Sequence, residues 1–310
     1  MLGFWTHRKG GFSSFVFKIL QDELVIIKKW DKSTFTNAFW CKDGTLISTT
    51  DIERDDSGFR KVFPSDLNSK KVELVCGMPG TQQYVPSISG RLILLNLKFA
   101  EHGLRLDSIP QLISMDVDAG THSVLWDNGN GASASNCDIS KNPNTAWFCM
   151  ESHLKSINLD TKSTKSRPLR HRCVAIRSNP SGSLLAMWTG AEWLVDTHTT
   201  LLIWDTVKDR LVHKFGFNSA STPVEGCWSP DGKYFAISAS SGWLLPSYND
   251  RILIFSPEER KVKAILTVPE STEDYRAIAW YSNPDRVVSV TRVGVVWQWR
   301  GVLGQLAGGQ

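Results

Sequence analysis

Two stretches of this chain combine side chains that could bind a partner or move a proton. In each, indole or phenol rings stand beside carboxylates, and the first stretch adds an imidazole. The first contributes Glu192, Trp193, Asp196 and His198, and the second contributes Trp243, Tyr248 and Asp250. Aromatic rings with charged neighbours are typical of interaction hot spots. The spacing of Asp196 and His198 is too common in proteins to assign a general base and its orienting group, so binding is the first hypothesis.

The two tryptophans in these stretches have a second interpretation. Trp193 and Trp243 could instead fold back as hydrophobic lids between neighbouring sheets, because a large ring fills such a space well. Exposed rings would support a binding surface, whereas buried rings would make the two stretches structural.

Two further stretches carry charged groups. An acidic patch lies in the first part of the chain, and a mixed group of a histidine, an arginine and an aspartate follows it. The patch contains Asp55 and Asp56, and the mixed group contains His102, Arg105 and Asp107. Both belong to connections between strands, where binding residues concentrate, so we include them in the candidate binding surface.

We expect no metal or cofactor site. The types and spacing of His102 and His198 indicate surface histidines. Asp116–Gly120 resembles a fragment of a calcium loop, but an Asp/Gly-rich stretch between two strands favours an ordinary hairpin turn. The six cysteines are scattered without a close CxxC pair, which favours buried free thiols over zinc sites or disulfides.

Linear signatures of catalysis are missing from the sequence. There is no GxxxxGK[ST] phosphate loop, no GxSxG nucleophile elbow and no HExxH zinc motif. These absences favour a non-catalytic protein. They leave open an enzyme that assembles its site from separate loops, because linear motifs do not detect such a site.

The elements that must position these groups repeat along the chain. In the clearest copy, Gly226–Ser238, an apolar strand runs into the turn Pro230-Asp231-Gly232 and a second apolar strand follows. The second strands of successive copies begin near residues 44, 90, 144, 182, 232 and 285. Self-similarity at a period of about 40 to 55 residues indicates a repeated small sheet.

Each clear copy can be laid out as four antiparallel strands. Residues 220–269 give Val224–Ser229, Lys233–Ser238, Arg251–Phe255 and Lys261–Val268, and residues 171–217 follow the same order. Short segments rich in β-branched and aromatic residues dominate the chain, and no long helical periodicity interrupts them. The sequence therefore predicts an all-β protein whose copies have the form of propeller blades.

Two motifs carry a resemblance to a known family. Trp204-Asp205 at the end of a third strand resembles the Trp-Asp ending of a WD-repeat, and Ser229–Lys233 resembles the hairpin common in WD-repeat and related bacterial propellers. The likeness is clear over residues 171–300 and loose over 36–170, where third strands end in Cys76 or Asp116. The resemblance implies a β-propeller that serves as a rigid platform for a protein or peptide.

We expect a single domain over residues 1–310, a closed propeller of four-stranded antiparallel blades. Six blades are favoured, at about 36–77, 80–126, 130–170, 171–217, 220–269 and 275–300. The last shows only three strands, so we expect residues 23–30 to supply its fourth and to close the ring, which would remove an open sheet edge. An extra strand over residues 15–20 leaves seven blades as the alternative.

Composition and charge say little about the kind of partner. The formal net charge is +4 over 310 residues, and the densest basic stretch, Lys162–Arg172, has the composition of a solvated loop between strands, so a nucleic-acid partner is disfavoured. No apolar run approaches a membrane span, and the N-terminus makes a poor secretory signal. We expect a soluble, cytoplasmic protein, and the sequence indicates no oligomeric state.

Propeller geometry places the candidate residues together. Connections between second and third strands would open on one face, and the long ones are about 50–66, 97–110, 189–200 and 239–250. Long connections in a compact array are frequently functional. The function predicted first is a non-catalytic platform that binds a protein or peptide on this face. The alternative is a propeller enzyme or a carbohydrate binder whose titratable groups meet at the channel mouth.

Overall fold

A computed structural model describes most of the regular structure of the chain. The described residues are 2–8, 12–20, 23–31, 35–40, 46–50, 58–62, 73–77, 81–86, 92–99, 108–116, 119, 121–127, 134–140, 144–150, 152–170, 172–189, 200–216, 221–241, 251–267, 275–281, 285–291, 296–302 and 304. Side chains are described for part of residues 111–304, and only the backbone is described before them.

Twenty-six strands are described, and they are numbered in chain order. The first eleven are β1 Leu2–Arg8, β2 Phe12–Leu20, β3 Glu23–Asp31, β4 Phe35–Trp40, β5 Leu46–Thr50, β6 Gly58–Val62, β7 Glu73–Gly77, β8 Thr81–Pro86, β9 Leu92–Phe99, β10 Ser108–Asp116 and β11 Thr121–Asp127. The next eight are β12 Ala134–Ser140, β13 Thr145–Met150, β14 His153–Asn158, β15 Thr164–Pro168, β16 Cys173–Ser178, β17 Leu184–Thr189, β18 Thr200–Asp205 and β19 Arg210–Gly216. The last seven are β20 Ser221–Trp228, β21 Phe235–Ser241, β22 Arg251–Ser256, β23 Lys261–Thr267, β24 Tyr275–Trp280, β25 Arg286–Thr291 and β26 Val296–Arg300.

The strands form seven sheets in the described part of the chain, and in each sheet consecutive strands pair antiparallel. Sheet 1 is β1–β3, sheet 2 is β4–β7, sheet 3 is β8–β11, sheet 4 is β12–β15, sheet 5 is β16–β19, sheet 6 is β20–β23 and sheet 7 is β24–β26. The prediction of a repeated four-stranded antiparallel sheet is confirmed. Ring closure and the number of blades stay predictions.

The N-terminal strand has a partner that the sequence analysis did not name. Residues 23–31 pair with β2 inside sheet 1, with Leu20 opposite Glu23 and Ser13 opposite Asp31. Only two residues separate β2 from β3, the length of a tight hairpin, so this local pairing costs little loop-closure entropy. The addition of this segment to the last sheet stays a prediction.

The chain divides into two compact units, Met1–Ser133 and Ala134–Gln310. Sheets 1 to 3 belong to the first unit, and sheets 4 to 7 belong to the second. In the second unit the first strands lie side by side in chain order, with β12 beside β16, β16 beside β20 and β20 beside β24.

The hairpin between first and second strands has the same construction in sheets 5 and 6. The N–H groups of Gly182 and Gly232 donate to the carbonyls of Asn179 and Ser229, each at 2.9 Å. Both glycines have positive φ, at 76° and 72°, which residues with a Cβ rarely adopt. The predicted Pro-Asp-Gly turn is confirmed, and Gly182 makes the equivalent turn one sheet earlier.

The turn between third and fourth strands is also repeated. The last residue of the third strand accepts a backbone N–H at its side-chain oxygen two or three residues later in four successive sheets. These residues are Asp116, Asn158, Asp205 and Ser256, at 2.8 to 3.2 Å. Such a side chain replaces a backbone acceptor in the turn. Asp116 is therefore a turn residue, as in an ordinary hairpin.

The fourth residue after these acceptors has positive φ in three of the sheets. Lys162, Asp209 and Arg260 have φ of 62°, 53° and 57°. Each is the last residue of a four-residue hairpin connection, and here this left-handed position holds a charged residue instead of glycine. The Trp-Asp ending of sheet 5 is thus one instance of a turn that neighbouring sheets build with Asn or Ser.

Large apolar side chains fill the space between neighbouring sheets of the second unit. One cluster joins sheets 5 and 6 around Trp188, Phe235 and Phe255, which are at most 1 % exposed. A second cluster joins sheets 6 and 7, and a third joins sheets 4 and 5. Their place in or beside apolar strands of the sequence predicts that Trp40, Trp147, Trp188, Trp204, Trp228 and Trp280 are core residues. The last five are buried, which confirms the prediction for them, and Trp40 lies outside the residues whose side chains are described.

Four cysteines have described side chains. Cys137, Cys149 and Cys173 are buried free thiols, and Cys227 is a free thiol of intermediate burial. Burial and the nearby Glu225 carboxylate raise the pKa of the Cys227 thiol far above its usual range, which keeps it protonated. The prediction of free thiols is confirmed for these four.

The basic stretch is not the loop that its composition indicates. Its middle part, Thr164–Pro168, is β15, the outermost strand of sheet 4. An outer strand exposed to water needs no apolar residues, so composition could not distinguish it from a loop. Arg167 leaves this strand to bind the Asp209 carboxylate of sheet 5, and its guanidinium carbon lies 5.2 Å from the ring centroid of Trp147.

Candidate binding site at the loop-bearing ends of the sheets

The residues proposed from sequence all lie outside the described residues. They are Asp55, Asp56, His102, Arg105, Asp107, Glu192, Trp193, Asp196, His198, Trp243, Tyr248 and Asp250. The strands that bear them are described, and each group belongs to the connection between the second and third strands of its sheet. These connections are 51–57, 100–107, 190–199 and 242–250 in sheets 2, 3, 5 and 6.

A hydrogen bond joins the two strand ends that flank the connection 190–199. Thr189 ends β17 and Thr200 begins β18, and both are buried, at 4 % and 3 % exposure. The backbone N–H of Thr200 donates to the Thr189 hydroxyl at 2.9 Å. The two residues that flank this ten-residue connection are therefore hydrogen bonded to each other.

The first strand of sheets 2 to 7 carries an irregularity near its beginning. The pairing shifts between Phe35 and Asn37, Thr81 and Gln83, Ala134 and Cys137, Cys173 and Ala175, Pro223 and Gly226, and Tyr275 and Ala277. β-Bulges of this kind redirect side chains and are frequent beside functional sites.

These bulges lie at the same end of each sheet as the long connections. The beginning of the first strand pairs with the end of the second, as with Cys173 and Thr189 in sheet 5 and with Ser221 and Ser241 in sheet 6. The second-to-third connection leaves from that same end. We call this end of a sheet its loop-bearing end.

Charged side chains stand on three consecutive first strands, near the middle of the sheets. Asp138 is on β12, Arg177 on β16 and Glu225 on β20, and we call these three the charged row. Asp138 pairs with Trp147 and Arg177 with Ala186, each three residues before its second strand ends. At about 3.3 Å per residue this is about 10 Å from the strand end.

Arg177 links two sheets within the charged row. Its Nη2 donates to Glu225 Oε1 at 2.6 Å and its Nη1 donates to the Ile176 carbonyl at 2.9 Å. The guanidinium carbon lies 6.0 Å from the ring centroid of Trp188, a cation–π distance. The Arg177 and Glu225 side chains remain 28 % and 29 % exposed, so the pair faces solvent while being held by the protein.

A serine fixes the bulge that presents Glu225. The N–H of Glu225 donates to the Ser238 hydroxyl at 3.1 Å, and that hydroxyl donates to the Glu225 carbonyl at 3.2 Å. The N–H of Gly226 also donates to Glu225 Oε1 at 3.3 Å. The bulged backbone is thus satisfied locally, and the carboxylate is aimed at sheet 5.

Asp138 is fully hydrogen bonded at the other end of the charged row. Its Oδ1 accepts the N–H of Ile139 at 2.8 Å, and its Oδ2 accepts the N–H of Ser178 at 2.6 Å. Burial raises the pKa of this carboxyl, and the Arg177 charge and these two hydrogen bonds only partly oppose it. For Arg177, burial lowers the pKa, but the Glu225 and Asp138 carboxylates outweigh it and leave the pKa raised.

Two tryptophans repeat one inter-sheet contact beside the charged row. Trp228 Nε1 donates to the Arg177 carbonyl at 2.9 Å, and Trp280 Nε1 donates to the Cys227 carbonyl at 3.3 Å. Each indole thereby ties its first strand to that of the preceding sheet. The charged row was missed from sequence, although a charge inside an otherwise apolar strand, as in Cys173–Ser178, was the signal available.

Two features are absent from the described residues, a cluster of metal ligands and a membrane-spanning helix. No three side chains among their histidines, cysteines, aspartates and glutamates are grouped to hold a metal ion. Within the same residues, no helix has the length and apolar character needed to cross a bilayer.

Known proteins resemble this chain in structure. No protein family model matches it, and no curated protein matches its sequence. The hydrazine synthase of Kuenenia stuttgartiensis is similar with a TM-score of 0.69 and 15 % identity, over 90 % of this chain and 80 % of that one. An oligogalacturonate lyase in complex with manganese gives 0.68 and 11 %, over 93 % and 82 %. The β-propeller domain of Cps50 (Swd1) from Myceliophteria thermophila gives 0.64 and 13 %, over 93 % and 89 %.

Similarity at these identities shows the fold and nothing finer. The chain has a β-propeller fold, which confirms the fold that the resemblance implied. Because these similar structures include enzymes as well as the Cps50 (Swd1) propeller domain, the fold does not choose between catalysis and binding.

Proposed function

We propose that this chain is a single cytoplasmic β-propeller that binds a protein or peptide partner, without catalysis, across the loop-bearing ends of its sheets. The supporting observation is the charged row, in which Asp138, Arg177 and Glu225 are locked by hydrogen bonds across three sheets while Arg177 and Glu225 keep solvent contact. Preorganised charges orient a partner and lose little entropy when it binds.

The connections above the charged row would supply the apolar part of the interface. In this proposal Trp193, Trp243 and Tyr248 are the aromatic anchors, and Glu192, Asp196, His198 and Asp250 form the polar rim. The residues Asp55, Asp56, His102, Arg105 and Asp107 extend the same kind of surface on sheets 2 and 3. No cofactor takes part, and nucleic acid is not the partner at this surface.

The geometry of the charged row fits a structural or recognition role better than proton transfer. Asp138 has the raised pKa of many acid–base groups, but both of its oxygens accept backbone N–H groups. Arg177 and Glu225 bind each other. These contacts hold the three side chains in fixed positions, which supports a recognition role.

The alternative is a propeller enzyme or carbohydrate binder at the same end of the sheets. The structural similarity to an oligogalacturonate lyase makes acidic oligosaccharides the first ligands to test. Tight binding or cleavage of oligogalacturonate, abolished by Glu192→Gln or Asp250→Asn, would favour this alternative over the protein platform.

Recovery of partners from a native extract tests the platform directly. The Trp193→Ala/Trp243→Ala variant removes both proposed anchors, and Trp297→Ala is the matched control because Trp297 is an exposed tryptophan, at 37 %, on sheet 7. We expect a partner recovered in fixed ratio with the parent and the control to be lost with the double variant. Unchanged recovery of every partner by the double variant would place the binding surface elsewhere.

A further inference from the structure

The basic stretch forms a cationic outer edge on sheet 4. Residues 161–172 contain no aspartate or glutamate. The basic side chains described within them are Lys162, Lys165, Arg167, Arg170 and Arg172. Every residue of β15 is exposed except Arg167, which is half-buried. Lys165 and Arg167 therefore lie on an accessible strand, and Lys162, Arg170 and Arg172 lie beyond its ends.

These cations have fewer salt bridges than those of the outer strand of sheet 6. Asp209 binds Arg167 and also interacts electrostatically with Lys165. Among the described residues, no salt bridge holds Lys162, Lys165 or Arg170, and Lys162 Nζ donates to the Leu159 carbonyl at 2.8 Å. In sheet 6, by contrast, one carboxylate, that of Glu259, binds both lysines of the outer strand β23, Lys261 and Lys263, at 3.1 and 2.9 Å.

The alternation of hydrogen-bonded residues along β15 shows which of its backbone groups face away from β14. Ser163 accepts the Asn158 N–H at 2.9 Å, and the Leu169 N–H donates to the Ser152 carbonyl at 2.6 Å. Hydrogen-bonded positions alternate along an antiparallel pair, so 163, 165, 167 and 169 bond to β14. Thr164 and Ser166 therefore point their N–H and carbonyl groups away from the sheet.

We propose that this edge binds an acidic peptide segment in extended conformation, which adds as a further strand beside β15. The outward groups of Thr164 and Ser166 would pair with the peptide backbone. Lys162, Lys165 and Arg170 would contact its carboxylates. Thr164–Pro168 spans about 13 Å at about 3.3 Å per residue, which fits about five extended residues, and Lys162 and Arg170 lie beyond its two ends.

The chemistry of the edge excludes other strand-like occupants. A second copy of β15 would bring like charges opposite each other, which is unfavourable, and lysines on an edge strand prevent such pairing. An apolar peptide would find no apolar side chain on Thr164–Pro168 apart from the proline ring. An acidic segment is the strand that the same charges attract.

This edge is separate from the proposed loop-bearing surface. It belongs to the outermost strand of sheet 4, and Asp138 belongs to the innermost strand, three strands away. Neighbouring strands are about 4.8 Å apart, so about 14 Å separates the two strands. The proposal stands whether or not the loop-bearing ends bind a partner.

The test uses a labelled peptide of about ten residues in which Glu alternates with Thr, and its binding is measured by fluorescence anisotropy at low salt. A peptide of the same sequence, N-methylated at alternate residues, keeps the charge and cannot pair as a strand. A single-stranded oligonucleotide of similar length serves as a polyanion without a peptide backbone.

Two variants and a matched control separate charge from backbone pairing. Lys165→Glu reverses a charge on the edge. Ser166→Pro removes only an outward N–H and leaves the charge and the bonds to β14 in place. Lys233→Glu is the control, because Lys233 is an exposed lysine in the first hairpin of sheet 6.

We expect the acidic peptide to bind the parent and the Lys233→Glu control equally. Lys165→Glu, Ser166→Pro and N-methylation should each weaken binding about tenfold, or about 1.4 kcal/mol. If Ser166→Pro fails to fold, the N-methylated peptide on the parent chain decides the same point. Equal binding of the N-methylated peptide and displacement by the oligonucleotide would overturn the proposal in favour of a polyanion surface. Absence of peptide binding would overturn it outright.

Discussion

Replacing Gly226 by alanine will drive a methyl group into the ring of Phe235. A Cβ at Gly226 would lie 2.5 Å from Phe235 Cζ, 2.9 Å from Cε1 and 3.2 Å from the Ala236 carbonyl oxygen. The ring cannot retreat easily, because Phe235 is fully buried with its centroid 5.1 Å from that of Trp228 and 5.9 Å from that of Trp188. The bulge that presents Glu225 directly precedes this glycine, so the same methyl group would disturb the charged row.

The expected cost follows from two opposing effects. Forcing an extra methyl group into a packed core costs about 1 to 3 kcal/mol. Alanine also lowers the conformational entropy of the unfolded chain, which stabilises the folded protein by about 0.4 to 1 kcal/mol. The 2.5 Å approach to a buried ring places the cost in the upper part of its range, at about 2 to 3 kcal/mol, so the net loss in the free energy of unfolding is about 1 to 2.6 kcal/mol. With an m-value of about 3 kcal/mol/M in urea, the midpoint should fall by about 0.3 to 0.9 M.

Urea unfolding followed by tryptophan fluorescence and circular dichroism measures this shift. Gly216→Ala is the matched control, since nothing lies within 4 Å of a Cβ at Gly216, and it should be neutral or slightly stabilising. Adding Phe235→Leu to Gly226→Ala should recover part of the loss, because the shorter side chain frees the space. An unchanged midpoint for Gly226→Ala, or a strictly additive double variant, would refute the packing described between sheets 5 and 6.

Three further outcomes are expected. Asp205→Ala should cost about 1 kcal/mol because it removes the acceptor for two turn N–H groups, whereas Asp205→Asn should be nearly neutral, as Asn158 fills the same role; urea midpoints decide. Arg177→Met should cost about 1 to 3 kcal/mol by leaving Glu225 without its partner, and Glu225→Leu in the same chain should recover part of it; additive losses would contradict the pairing. Burial, and then the Arg260 charge, lower the pKa of His213, so the unfolded state binds the proton more tightly and stability should fall as pH drops from about 7 to about 5.5. His213→Gln should reduce that fall, and an identical pH profile would rule out this histidine as its source.

Local chemistry explains what the sequence predicted correctly. Pro230-Asp231-Gly232 specifies a turn because only glycine adopts positive φ freely, and the structure gives Gly232 a φ of 72°. The recurrence of such turns between apolar strands predicted the repeated sheet. The buried tryptophans followed from their place on strands that neighbouring sheets must cover.

What the sequence did not predict depends on long-range geometry or on exposed edges. The Arg177–Glu225 pair joins residues 48 positions apart and exists only because β16 and β20 lie together. The bulge at Glu225 has no compositional signal, since Ser238 completes it from another strand. The sequence analysis did not predict β15, because an outer strand can be entirely polar. It also did not predict that residues 23–31 pair with β2, which ends only two residues earlier.

Site-specific photo-cross-linking measures most directly whether the loop-bearing ends bind the partner. A photoreactive amino acid replaces Trp193 or Trp243 in one set of samples and Lys233, at the opposite end of sheet 6, in another. The account predicts cross-links to the same partner from positions 193 and 243 and none from 233. Cross-links from 233 alone would contradict it.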